Sequence, residues 1–179
     1  RRGRRRRGRR RRRRGARRRR CVALYRGPHR QLVVAAAPAP ARGMRDDHEA
    51  RNTITIENDE MSWGLDASLE LADHLALVLD IHHHWVASGE YIQPTDDRFL
   101  RIVDSWRGVR PVIHYSVSRE DLLVGHDPNV LPNMGELLEQ GFKKQKLRAH
   151  SDMMWNHAVN DWALQFNDSA DIMVESKAK

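Results

Sequence analysis

From Thr53 onward the hydrophobic positions switch repeatedly between the period of a strand and that of a helix. Thr53–Glu57 (TITIE) alternates β-branched residues and predicts a strand. Leu65, Leu69, Ala72 and Leu75 then fall on one helical face, which predicts a helix over residues 65–76. Leu77–Leu79 opens a second strand, predicted over residues 77–81 and apolar enough to be buried on both faces, as in a parallel sheet covered by helices. The residues from there to Pro94 read as a loop. Thr95, Asp96 and Asp97 start a helix whose buried stripe is Phe99, Ile102, Val103 and Trp106, and Gly108 stops it. Pro111–Tyr115 (PVIHY) predicts the third strand. Ser118–Leu123 predicts a helical turn, Gly125–Pro132 a loop, and Met134–Gln140 a short helix closed by Gly141. Ser151 is the expected cap of a longer helix carrying Trp155, Val159, Trp162 and Phe166, and Asp171–Glu175 (DIMVE) is the fourth strand. The order is βαβαβ(α)αβ, an α/β pattern with parallel strands.

Composition separates this region from what precedes it. The formal net charge of the 179 residues is +8, but residues 1–20 contain 16 arginines, three glycines and one alanine. Without them the charge is −8, and from Asp46 onward 12 basic residues face 24 acidic ones. Residues 1–20 cannot bury apolar surface and repel one another, so disorder is expected. Residues 21–45 continue as an Ala/Pro linker in which Val33–Ala37 forms at most a short strand or helix. Two readings of this prefix stand: a phosphate-neutralising tail or nuclear address, or a flank that is no evolved element. The chain therefore divides at 1–45 and 46–179. Cys21 is the only cysteine, which excludes an internal disulfide and a multi-cysteine zinc site. No uninterrupted apolar stretch approaches the roughly 18 residues of a membrane span, and there is no secretory core. An intracellular protein without a membrane partner is expected.

Candidate chemistry lies at the strand ends. Each predicted strand finishes in a residue able to ligate a cation: Glu57, Asp80 with His83, His114, and Glu175. If the second strand runs on through His83, alternation sends Asp80 and His83 to opposite faces; if it stops near Ile81 and the chain turns, both reach one ion. Alternation also lets Thr55 with Glu57, Val78 with Asp80, Val112 with His114, and Met173 with Glu175 share one face. Polar residues at the C-terminal ends of successive parallel strands are the active-site pattern of a TIM barrel.

At these residues the chain resembles the UV damage endonuclease family, whose barrel is similar to that of endonuclease IV. The resemblance is carried by Ile56-Glu57-Asn58-Asp59-Glu60, Leu79-Asp80-Ile81-His82-His83-His84, Trp106 through Ser116 with Arg110-Pro111-Val112-Ile113-His114, Arg148-Ala149-His150-Ser151-Asp152, and Asp171 through Lys177. It covers roughly residues 48–179 and implies a partial TIM barrel of about four parallel strands. It also implies that Glu57 bridges two metals, that Asp80, His114 and Glu175 complete that group, and that His83 and His150 hold a further ion. Carboxylate and imidazole ligands without thiolate suit divalent manganese ahead of zinc or magnesium. The implied partner is double-stranded DNA carrying a UV photoproduct, and the implied reaction is incision on its 5′ side.

Two departures from the family pattern stand out. Members commonly carry lysine two residues before the third-strand histidine, and here that residue is Val112. Residues 46–179 also amount to only about half of the roughly 250 residues typical of the fold. The expectation is a C-terminal half-barrel, a partial copy with doubtful competence of its own, whose two open sheet edges favour self-association. A metal barrel acting on a small sugar, and a non-enzymatic nucleic-acid binder working through the arginine tail, remain as rivals.

Overall fold

The computed structural model describes residues 54–177 and the backbone of Leu32–Val33. A sheet of order β1-β2-β3-β4-β5 comprises β1 (Leu32–Val33), β2 (Thr55–Glu57), β3 (Ala76–Asp80), β4 (Val112–Tyr115) and β5 (Asp171–Val174). β2 to β5 are mutually parallel, and β1 lies antiparallel along β2. The architecture is thus α/β with four parallel strands, as the pattern predicts. β1 was foreseen only as one option for part of the linker. The other expectations for residues 1–53, including the disordered arginine run and the start of the first strand at Thr53, lie outside the described residues.

Helices α1 (Leu65–Leu69), α2 (Ile81–Ser88), α3 (Asp97–Ser105), α4 (Met134–Glu139), α5 (Lys144–Leu147) and α6 (His157–Leu164) fill the connections. Three depart from expectation. α1 ends at Leu69 and not near residue 76, because the chain tightens into i→i+3 bonds from Leu71 to Ser68 (3.0 Å) and from Ala72 to Leu69 (3.2 Å). That frees Ala76 to begin β3. The expected loop after β3 is instead α2, which starts directly at Ile81. Asp80 caps it by accepting the His83 backbone N–H at 2.8 Å, and Gly89 closes it at φ 80°. A residue with a Cβ at Gly89 would also meet Met134 at 3.0 Å. α6 is capped by Asn156, which accepts the Val159 N–H at 2.9 Å, so Ser151 is not its cap. Ser151 instead donates its N–H to Val117 at 2.9 Å, beside the isolated pairing of Ser118 with His150. The segment carrying His150 is thereby tied to the chain leaving β4.

The two faces of the sheet hold different chemistry. Leu77, Leu79, Ile113 and Tyr115 pack outward against Phe99, Ile102, Trp162 and Phe166 in one apolar cluster, with Phe99 and Phe166 edge to face at 4.9 Å. A side chain of that size contributes roughly 1.5–3 kcal/mol by leaving water. A second cluster, centred on Trp85, Leu123, Met134 and Leu147, supports the long β4–α6 connection. On the opposite face Ala76 and Val78 pack with Trp106, whose indole N–H donates to the Leu77 carbonyl at 2.6 Å. Val112, one of the two departures noted in the sequence, packs against this third cluster.

Candidate metal centre

The strand register brings three of the expected ligands together. Glu57 ends β2, Asp80 ends β3 and pairs with His114 of β4, and all three side chains occupy one face. One ligand atom from each lies within 4.8 Å of the others. His114 Nδ1 is 2.9 Å from Glu57 Oε1. Asp80 is fully buried; its Oδ1 accepts the His83 N–H, while its Oδ2 has no hydrogen-bond partner. A buried carboxylate oxygen without a donor is costly unless a cation meets it. This orphan atom, together with the oxygen and imidazole donors around it, fits a divalent cation.

Three more expected residues border that set. Glu175 follows β5, with Oε1 3.4 Å from His114 Nδ1 and Oε2 3.7 Å from His150 Nδ1. His83, in the first turn of α2, places Nδ1 3.5 Å from Asp80 Oδ2 and 3.9 Å from Glu57 Oε1. The strand stops at Asp80 and the chain turns, so His83 joins the same cluster as Asp80. The His83 and His150 rings lie 5.8 Å apart. Glu57, Asp80, His83, His114, His150 and Glu175 thus form one contiguous group.

Protonation follows burial and charge. Burial opposes the charged form of His114, but its hydrogen bond to Glu57 and the charges of Glu57, Asp80 and Glu175 win, raising it from 6.5 to about 9. His83 is likewise raised, with burial outweighed by Asp80, Glu57 and Glu60. Burial lifts Asp80 and Glu175 above their ordinary values. Burial lowers His150 to about 4. In this state protons on imidazoles balance the carboxylates where a cation would otherwise do so.

Several contributors carry no strand-end signal in the sequence. Glu60 Oε2 lies 3.7 Å from His83 Nε2, and Glu60 Oε1 accepts from Arg148 at 2.8 Å. His82 sits one helical step from His83 and faces away from the carboxylates. Its Nε2–H donates to Ser118 Oγ at 3.2 Å, since that hydroxyl donates to the Leu147 carbonyl, and its Nδ1 accepts from Ser116 Oγ at 2.8 Å. Burial, His150 and His83 hold His82 neutral, and its ring meets His150 edge-on at 5.5 Å. The Asn58 carboxamide bonds both backbone groups of Asp80. Only the position of Asn58 and Glu60 next to Glu57 hints at them in the sequence.

Carboxylates and imidazoles gathered at the C-terminal ends of four parallel strands, with helices covering the opposite face, are consistent with a partial (β/α) barrel. The family model of UV-endonuclease UvdE matches residues 44–179, and the chain belongs to that family. It is also 29% identical over 143 residues to the UV-damage endonuclease of Schizosaccharomyces pombe (strain 972 / ATCC 24843), covering 76% of this chain. The chain spans about a fifth of that relative's length, the covered share being 20%. No solved structure matches it.

Proposed function

We propose that residues 46–179 supply one side of the metal centre of a DNA repair endonuclease that incises duplex DNA 5′ to UV photoproducts. The observation that carries this reading is the buried Asp80 Oδ2 without a hydrogen-bond partner, set among Glu57 and His114. Family membership supplies the substrate class. Glu57, Asp80, His114 and Glu175 would hold one group of ions, and His83 with His150 would hold a further one. Divalent manganese suits this oxygen and imidazole set. Such ions polarise a phosphodiester, help a water to deprotonate near neutral pH and offset charge on the leaving oxygen.

The protein's own part is positional. Asp80, fixed at the end of the central strand, orients the centre, and Glu175 with His150 closes its opposite side. Arg148, partly exposed and paired to Glu60, stands beside the cluster to meet phosphate. The four parallel strands are half the number that closes a barrel, so further ligands and the surface that reads the lesion would come from other strands. The sixteen arginines would add lesion-independent, salt-sensitive affinity for DNA. No described helix is long and apolar enough to cross a membrane, and the reading fits an intracellular setting where DNA is repaired.

The test is incision of UV-irradiated plasmid in the presence of Mn2+. The chain alone should give negligible nicking, with activity recovered when the first barrel half of a related enzyme is added in trans and lost again in Glu175→Ala. Robust 5′ nicking by the monomeric chain alone would refute the division of the site, and no nicking in any combination would refute the reading itself.

A further inference from the structure

We infer that Asn58 is a positioning residue of the metal centre: its carboxamide fixes where Asp80 stands, and its backbone carbonyl fixes which nitrogen His83 offers. The inference rests on the reading of this cluster as a divalent-metal centre. The β2–β3 ladder ends where Glu57 pairs with Val78, two residues short of Asp80. Beyond that point the Asn58 side chain stands in for a peptide group. Its Nδ2 donates to the Asp80 carbonyl at 3.0 Å, and its Oδ1 accepts the Asp80 N–H at 2.9 Å. A strand residue's N–H and C=O face the same neighbour, so a single amide satisfies both at once. Asparagine has the matching donor and acceptor on separate atoms; aspartate lacks the donor, alanine lacks both, and serine carries both on a single oxygen. Asn58 is 1% exposed, so water does not replace it.

The second half of the argument concerns His83. Its Nδ1 lies 3.2 Å from the Asn58 backbone carbonyl. A carbonyl only accepts, so the contact requires hydrogen on Nδ1, and in the neutral ring that leaves Nε2 with the lone pair that a metal takes. Holding one imidazole nitrogen with a hydrogen bond to set the tautomer of the other is the usual support for a ligating histidine. The Asp80 carboxylate is held in the same way: its backbone by Asn58, its Oδ1 by the His83 N–H at 2.8 Å. Only Oδ2 accepts no hydrogen bond, with His83 Nδ1 3.5 Å away. Asn58, Asp80 and His83 therefore form a closed brace spanning the end of β2, the end of β3 and the first turn of α2. Its geometry allows one orientation of each ligand without Asn58 touching an ion.

The experiment uses the full chain and Mn2+ alone as probe, with free Mn2+ read by electron paramagnetic resonance. It compares wild type, Asn58→Ala and Val159→Ala, the last a core truncation in α6 remote from the centre. Asn58→Ala should weaken Mn2+ binding about tenfold to a hundredfold, the range for residues that support ligands, while Val159→Ala keeps wild-type affinity. In the metal-free chain, at a pH where His83 is neutral, nitrogen chemical shifts of labelled histidine should place hydrogen on Nδ1 of His83 in wild type. Asn58→Ala keeps the backbone carbonyl and should keep that tautomer, so its loss of affinity reports the carboxamide alone. An unchanged Mn2+ affinity in Asn58→Ala, hydrogen on Nε2 of His83 in wild type, or equal losses in Asn58→Ala and Val159→Ala would overturn the inference and leave the centre standing. Failure of wild type to bind Mn2+ would overturn the centre and the inference together.

Discussion

β3 and β5 are parallel strands of the same sheet, and each delivers a carboxylate to the same cluster, yet they live in opposite surroundings. All five residues of β3 are buried, flanked by β2 and β4 and covered on both faces. β5 is exposed at both ends and half-buried between them, and Val174 is 55% exposed. Asp80 is accordingly held by its neighbours on several sides, whereas Glu175 keeps part of its side chain in solvent. The centre has a rigid wall and a compliant one. In the proposed function the rigid wall would set ion position, and the compliant wall would give access for a bulky substrate without disturbing the core.

That contrast sets the scale of what substitution should do. The largest effect is expected in the core: Leu79→Ala, fully buried in the outward cluster, should lower unfolding free energy by roughly 2–5 kcal/mol. Val174→Ala should cost no more than about 0.5 kcal/mol in the same urea titration, as an exposed position does. Equal losses at the two positions would erase the distinction between the strands.

Next comes pH. Because His114 is raised from 6.5 to about 9, its protonated form favours the fold. That contribution, at most about 3 kcal/mol, is complete below roughly pH 6.5 and is lost as pH rises through about 9. Metal-free stability should fall across that window, and added Mn2+ should restore more of it at the alkaline end, since an ion replaces the proton. A flat stability profile between pH 6.5 and 9 would show that His114 carries no such proton.

Metal affinity should rank the two carboxylates. Asp80→Ala should weaken Mn2+ binding by about a hundredfold and Glu175→Ala by about tenfold, because only the former removes an anion from the fixed wall. A calorimetric titration giving the reverse order would place the anchoring side of the centre at β5. The smallest effect concerns association: Val174→Lys should reduce sedimenting dimer with little change in monomer stability, as charge on an edge strand does.

The sequence made the strands and their terminal ligands readable for a physical reason. β-branched and apolar runs have no alternative burial, and a polar residue at such a run's end has to sit at the sheet's rim. Thr55–Glu57, Ala76–Asp80, Val112–Tyr115 and Asp171–Val174 therefore fall close to where patterning puts them. Helix ends are less readable because they depend on contacts remote in sequence. α2 follows β3 without a loop, and its histidine run has no apolar period to announce a helix; only Asp80 as cap and Gly89 as terminator mark it. Asn156, and not Ser151, caps α6 because Ser151 is drawn into pairing beside β4. The supporting contacts of the site are less legible still. Asn58 meets Asp80 across 22 residues, His82 meets Ser118 across 36, and Arg148 meets Glu60 across 88. No local spacing encodes such pairs.

The short antiparallel strand β1 changes what this sheet can grow into. Patterning left both edges of the parallel set open, but β1 runs along β2 and makes that edge a two-residue antiparallel strand. Among the described residues the edges of the sheet are therefore unequal, the two-residue β1 on one side and the four-residue β5 on the other. A very short edge strand offers an incoming strand few backbone groups, so growth is favoured at β5. When two such chains meet through β5 they use the longer edge of both, and the contact closes upon itself as a two-fold pair. Two equally long edges would instead let copies add at either side. A few residues laid against β2 thus bias the sheet toward a discrete assembly and away from a fibre.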